Sequence, residues 1–215
     1  KTPALTGDTT YTLPAAYAGS NGMSLTSTTA GVMSWAASAA GGSLTLIESA
    51  TASACDANIT IDGLDGTYAT YFVTFANMVP SGQPYALFQM GPSAGINGCA
   101  CDYNWHEVEH LSSSATPNHA VAAGGACGVG IRMYSRGVGH DTAEGFSGSL
   151  WIHHDATNFI QVHGSAAGTS YIPDNVFSIF GGETRAAYAL TQVRFLFHAG
   201  SVDSGRMSVY GVAQA

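Results

Sequence analysis

Apolar and polar positions alternate in short runs along most of the chain, and each run is bounded by Gly, Pro, Asn, Asp or Ser. The runs are SLTLIE (43 to 48), NITID (58 to 62), TYFVTFA (70 to 76), YALFQM (85 to 90), GIRMY (130 to 134), SGSLWIHH (147 to 154), NFIQVH (158 to 163), VRFLFHA (193 to 199) and RMSVYGV (206 to 212). A period of two, carried by β-branched and aromatic residues, is the mark of strands in an antiparallel sheet. In VRFLFHA it predicts Val193, Phe195 and Phe197 on one face and Arg194, Leu196 and His198 on the other. Asp62-Gly63 and Asp65-Gly66 predict a turn between two runs, and Asp203-Ser204-Gly205 predicts another between the last two, because these residues tolerate positive φ. The expected fold is all-β, an antiparallel β-sandwich or jelly roll of about eight to ten strands.

The pattern fails at the start of the chain. Residues 5 to 42 are almost all Ala, Ser, Thr and Gly, with thinly spaced anchors at Tyr11, Leu13, Tyr17, Met23, Leu25, Met33 and Trp35. So few large apolar residues do not close a core. We therefore read residues 1–42 as an extended N-terminal arm for attachment or trimerisation, and residues 43–215 as the β-sandwich domain. No internal repeat is present, and no stretch has the composition of a disordered linker.

Composition narrows the function classes. Charged residues make up 9% of the 215, and the only lysine is Lys1, where about 25% charged is usual. That excludes a charged helical bundle or a coiled coil. Six basic against fourteen acidic side chains give a formal charge of -8, which repels phosphate backbones and anionic lipid, so no nucleic-acid partner is expected. No run of about eighteen apolar residues occurs, so no membrane insertion by a helix is expected either. The opening KTPALTGDTT has neither a basic n-region nor an apolar h-region, and a first residue other than methionine fits a fragment or a processed form.

Three stretches carry a resemblance. TLPAAYAGSNGMSLTSTTAGVMSWAAS (12 to 38) resembles the "T-L-P-x-A … G-x-x-L-T-x-x-x-x-G-x-x-S-W" segment of tail-fibre and related appendage proteins of tailed bacteriophages. The stretch 43 to 90, with its I-x-G-L-D and N-x-x-P elements, is similar to the β-sandwich domain that often follows that segment. GFSGSLWIH (145 to 153) and VRFLFHAGSVDSGRMSVYGV (193 to 212) resemble the end of the same domain. The resemblance implies a structural, non-enzymatic virion component without a cofactor, assembled in the host bacterial cytoplasm. It also implies a homotrimer that joins other tail or capsid proteins through its arm and contacts a host-surface glycan or protein. A head decoration protein is the alternative within that class, and a lectin-like glycan-binding module is the alternative outside it. The matched motifs hold turn and core residues and carry no catalytic residue.

Several strings invite chemistry. HEVEH (106 to 110) is a literal H-E-x-x-H; on a helix His106 and His110 would share a face and bind zinc, with Glu107 as general base. The short flanks favour a strand instead, which puts His106, Val108 and His110 on one face and Glu107 and Glu109 on the other. The extended zinc-protease pattern would need a histidine where Thr116 stands. Cys99, Cys101, His106 and His110, with His119 and Cys127 nearby, form a candidate tetrahedral zinc set. Against it stand a disulfide among Cys55, Cys99, Cys101 and Cys127, for which three pairings exist, and free buried thiols, since a chain made in bacterial cytoplasm begins reduced. Glu107, Glu109, Asp141 and Glu144 are candidate paired acids, and His153-His154-Asp155 is a candidate for metal at a threefold axis. For glycan stacking the candidates are Tyr103, Trp105 and Tyr171, with Tyr134 beside them. No G-x-S-x-G elbow supports a serine triad, and GGACGVG (124 to 130) lacks the Gly-Lys-Ser/Thr ending of a phosphate loop.

Overall fold

A computed structural model describes residues 12–15, 23–27, 32–37, 44–99, 101–113, 129–141, 144–171 and 174–213. The anchors Tyr11 and Tyr17 lie outside the described residues, as do His119 and Cys127. The chain divides into two compact units, Lys1–Gly42 and Ser43–Ala215. The first contains a small antiparallel ribbon, β1 (Met23–Ser27) paired with β2 (Met33–Ala37), in which Leu25 faces Trp35. An isolated bridge joins Thr12 to Val32, closed by a hydrogen bond from Met33 N to Thr12 O at 3.0 Å.

Among its described residues, the second unit is an all-β sandwich of eleven strands in two antiparallel sheets. One sheet has the order β3 (Leu44–Thr51), β13 (Val202–Val212), β5 (Thr70–Pro80), β9 (Gly145–His153), β10 (Phe159–Thr169), β11 (Asn175–Ala187) and β7 (Tyr103–Leu111). The other has the order β4 (Ile59–Ile61), β12 (Gln192–Phe197), β6 (Ala86–Gly91) and β8 (Ile131–Tyr134). Alternation decides which side chains meet between them. Tyr71, Val73 and Phe75 of β5, Phe146, Leu150 and Ile152 of β9, and Val193, Phe195 and Phe197 of β12 are all buried in one continuous core. The face predicted for VRFLFHA is the buried one.

Two turn readings come out differently. Gly63 and Gly66 do sit at φ of 80° and 77°, between β4 and β5, where a side chain would be strained. Asp203-Ser204-Gly205, however, lies inside β13 and makes no hairpin, because β12 and β13 belong to different sheets. The pairing of β13 with β5 shifts register on both sides of Ser204, so these residues form a bulge that bends a long strand. The chain crosses between the sheets one step earlier, through residues 198–201.

β7 and β8 are the edge strands on the same side of the sandwich, and polar side chains of β7 close that edge. Tyr103 is fully buried; its hydroxyl accepts from Met90 N at 2.7 Å and lies 2.8 Å from both Met90 O and Asn97 O. Further along, Glu107 and Glu109 point inward at the segment that follows β8. Removing the hydroxyl in Tyr103→Phe leaves the Met90 N–H without an acceptor in the core. The expected cost is about 1–3 kcal/mol, read as a lower urea midpoint with an unchanged m-value.

Candidate functional site

The outward face of the seven-stranded sheet is assembled in rows by strand register. Leu46, Tyr210, Phe72, Trp151, His163, Gly181 and His106 lie side by side across all seven strands. The row is largely aromatic, with the Phe72 and Trp151 rings 4.6 Å apart and the Phe72 and Tyr210 rings 6.3 Å apart. On one side of it runs a polar row, Thr70, His153, Gln161, Glu183 and Asn104. On the other side runs a row led by hydroxyls, Ser208, Thr74, Ser149 and Ser165, ending on Ile179 and Val108. Rows on one face are two residues apart along a strand, about 6.6 Å.

Gly181 interrupts the aromatic row. Its neighbours in the row, His163 and His106, are two strand spacings apart, about 10 Å, and between them no side chain rises from the sheet. A groove of about 500 Å³ opens there. Gly181 and Gly182 form its floor, with His106, His153, His163, Gln161, Glu183 and Asn104 around it. Close approach requires the glycine at 182 and leaves only tight space at 181. A Cβ on Gly182 would come within 2.4 Å of the Asn104 carbonyl oxygen, and one on Gly181 within 3.1 Å of Cε1 of His106, whose ring leans over the floor.

The groove is polar but holds no cation of the lysine or arginine type among its described lining residues. Asn104 Nδ2 donates to Glu183 Oε1 at 3.2 Å. Among the described residues, Glu183 Oε2, the Gln161 amide and the imidazoles of His106 and His163 make no side-chain hydrogen bond. The His153 and His163 rings stack at 5.2 Å. Burial, and then the neighbouring His163, hold the His153 pKa below its ordinary value.

No family model, curated protein or solved structure matches the chain.

Among the residues singled out from sequence, the structure separates more than it unites. Tyr103 is buried and hydrogen-bonded, so it offers no stacking face. Tyr134 is buried as well. Trp105 is half-buried; it packs on the core, has the Arg132 guanidinium 5.1 Å above its ring, and reaches the rim of the groove. Tyr171 is exposed in the turn after β10, away from the groove. The three do not form one platform.

The zinc set also comes apart. HEVEH is extended, so His106 and His110 stand about 13 Å apart along β7, too far to share an ion with bonds of about 2 Å. Cys101 is disulfide-bonded and so is no thiolate ligand, while Cys55 and Cys99 are free. Glu107 faces away from both histidines, as the strand reading requires. His154 turns inward, where its Nε2 accepts from Leu190 N at 3.0 Å, and Asp155 caps the turn at Thr157 and Asn158. Only His153 of that string faces the groove.

The paired acids do meet, in the interior. Glu107 and Glu109 are 0% and 2% exposed. Ser135 N donates to Oε1 of both, at 2.9 and 2.8 Å. Glu107 further bonds the hydroxyls of Ser135 and Ser178, and Glu109 accepts from Arg136 N at 3.0 Å with the Arg136 Nε 3.5 Å away. Burial, more than repulsion by Glu109, pushes the Glu107 pKa up to about 7. Such a pair is chemically competent for acid–base work; neither carboxylate lines the groove over Gly181 and Gly182, and their bonds tie β7 to the segment after β8. Asp141 and Glu144 close a turn on each other and are not part of it.

His163, Gly181, Gln161 and Glu183 escaped the sequence reading altogether. The signal that would have found them is the Gly-Gly pair inside NVFSIFGGETRAA, which marks a close backbone approach in a strand.

Proposed function

We propose that the chain is a structural, non-enzymatic component of a tailed-bacteriophage particle, a fibre or surface appendage. Its sandwich is the exposed module, and residues 1–42 assemble three copies or attach them to the particle. The observation that carries this reading is the state of the N-terminal unit. Among its described residues, Leu13, Val32 and Leu25 are 68%, 51% and 40% exposed. An array of small residues with outward apolar anchors is suited to being covered by copies of itself or by neighbouring subunits. The low charge agrees, since a lateral surface buried in a particle carries little. A head decoration protein would use the same unit along capsid subunits.

Light scattering on the full chain and on residues 43–215 tests the assembly. The full chain is expected at three times the chain mass, and the sandwich alone as a folded monomer. A trimer that survives the deletion, or a monomer in both forms, rejects the role given to residues 1–42.

A further inference from the structure

We propose that the groove over Gly181 and Gly182 is a binding site for a neutral saccharide. The inference stands on the groove, independently of how copies of the chain assemble. Three features select that ligand class. First, the stacking and hydrogen-bonding elements are in adjacent rows: the His163 and His106 rings flank the open floor, and Gln161, Glu183 and Asn104 follow about 6.6 Å away along the strands. A sugar ring lying on the floor would set its apolar face against imidazole or Ile179 and its hydroxyls against amide and carboxylate.

Second, the hydrogen-bonding capacity is uncommitted. Glu183 Oε2 and the Gln161 amide provide an acceptor and a donor–acceptor pair that no described protein group uses, and Asn104 fixes the other Glu183 oxygen from the side. A carboxylate held by a neighbouring amide is a pre-oriented acceptor for a hydroxyl. Third, charge complementarity excludes the anionic alternatives. The titratable groups facing the groove are His106, His153, His163 and Glu183, with no lysine or arginine. The chain carries a formal charge of -8. A phosphate or a sialic-type carboxylate would meet Glu183 with no fixed cation to offset it. The volume of about 500 Å³ lies within the range of about 300–1,000 Å³ of small-ligand sites.

The test is an NMR titration of the full-length protein with neutral trisaccharides of glucose, galactose, mannose and N-acetylglucosamine, with sialyllactose as the anionic probe. The readout is the imidazole resonances of His106, His153 and His163 together with the amides of Gly181 and Gly182. At least one neutral trisaccharide is expected to shift them saturably by about 10 mM, a range ordinary for weak single-site binding. Gly181→Val fills the floor with a strand-compatible side chain and is expected to weaken that binding at least about tenfold while retaining the parent's amide spectrum elsewhere. Gln161→Ala, which leaves the floor open, is expected to weaken it by a smaller factor. The proposal is overturned if no neutral probe shifts these resonances, if sialyllactose binds more tightly than every neutral probe, or if binding persists unchanged in both variants.

Discussion

Replacing Phe146 by alanine is expected to destabilise the sandwich by about 3–5 kcal/mol, a large share of the about 5–15 kcal/mol that holds a domain folded. Phe146 lies on β9 with 1% of its surface exposed. Its ring is 5.6 Å from Phe195 and 6.3 Å from Phe197 of the opposite sheet, 5.8 Å from Tyr134 on β8, and 6.4 Å from Phe75 on β5. Four aromatic neighbours drawn from both sheets meet on this one side chain. Its truncation therefore opens a cavity at the plane where the sheets join, and the surrounding rings, each fixed on a hydrogen-bonded strand, cannot close in to fill it. The measurement is thermal unfolding of the sandwich, with the midpoint expected to fall by on the order of 10 °C. Phe159→Ala is the control: that ring is 50% exposed, and its loss is expected to change the midpoint by no more than about 2 °C. Equal shifts in the two variants would mean that the aromatic cluster does not join the sheets.

The core that makes this expectation possible was written in the sequence as period two. VRFLFHA puts Val193, Phe195 and Phe197 on one face, and that face is buried, because alternation is a property of the backbone and needs no partner strand to be read. Two strands were harder to see, for different reasons. β11 contains Gly181-Gly182, which local reasoning takes as a break; the glycines are there because the β7 backbone at Asn104 and Trp105 and the rim of the His106 ring come close to them, a fact about another part of the chain. β7 contains HEVEH, whose residues fit a helix or a strand; its short flanks favour the strand, and its pairing with β11 bears that out. The Asp203-Ser204-Gly205 turn failed in the opposite direction, since residues that tolerate a hairpin also tolerate a bulge. The candidate groove was least legible of all. Its members come from β7, β9, β10 and β11, and they become neighbours only through a register that no local pattern encodes. What did carry through was the argument that an extended HEVEH turns Glu107 away from His106 and His110, and that orientation has a measurable consequence.

In Glu107→Gln the pH dependence of stability is expected to change by about 3 kcal/mol between pH 4.5 and pH 8. Glu107 has an ordinary pKa of 4.5 when unfolded, and in the folded protein burial raises it to about 7. With the folded pKa above the unfolded one, the native state holds a proton that the unfolded chain has released. The stability attached to that proton is fully present below pH 4.5 and is lost as pH rises through about 7, a difference of about 3 kcal/mol at about 1.4 kcal/mol per pH unit. The geometry explains why the protonated form suits the site. Ser178 Oγ lies 2.8 Å from Glu107 Oε1 and 2.9 Å from Met133 O, but has one proton to give. When Glu107 carries its own proton, its O–H serves a serine oxygen or Glu109, Ser178 donates to Met133 O, and the repulsion between the two carboxylates is relieved. The histidines oppose this trend: the pKa values of His153 and His198 are lowered by burial, so they destabilise the fold as pH falls below about 6.5. Asp65 and Asp155, lowered by hydrogen bonds in exposed turns, act below about pH 4. The wild-type profile alone therefore mixes contributions of opposite sign, and the difference between wild type and Glu107→Gln, measured by urea unfolding at matched pH values, isolates the carboxyl group. Near pH 4.5 the two are expected to be close in stability, because glutamine has the shape of the protonated acid. By pH 8 the variant is expected to be the more stable, since it no longer buries a charge beside Glu109. Two parallel profiles would show that Glu107 folds with its charge already neutralised by its serine and backbone donors, and that the edge between β7 and β8 is closed by hydrogen bonds without a proton.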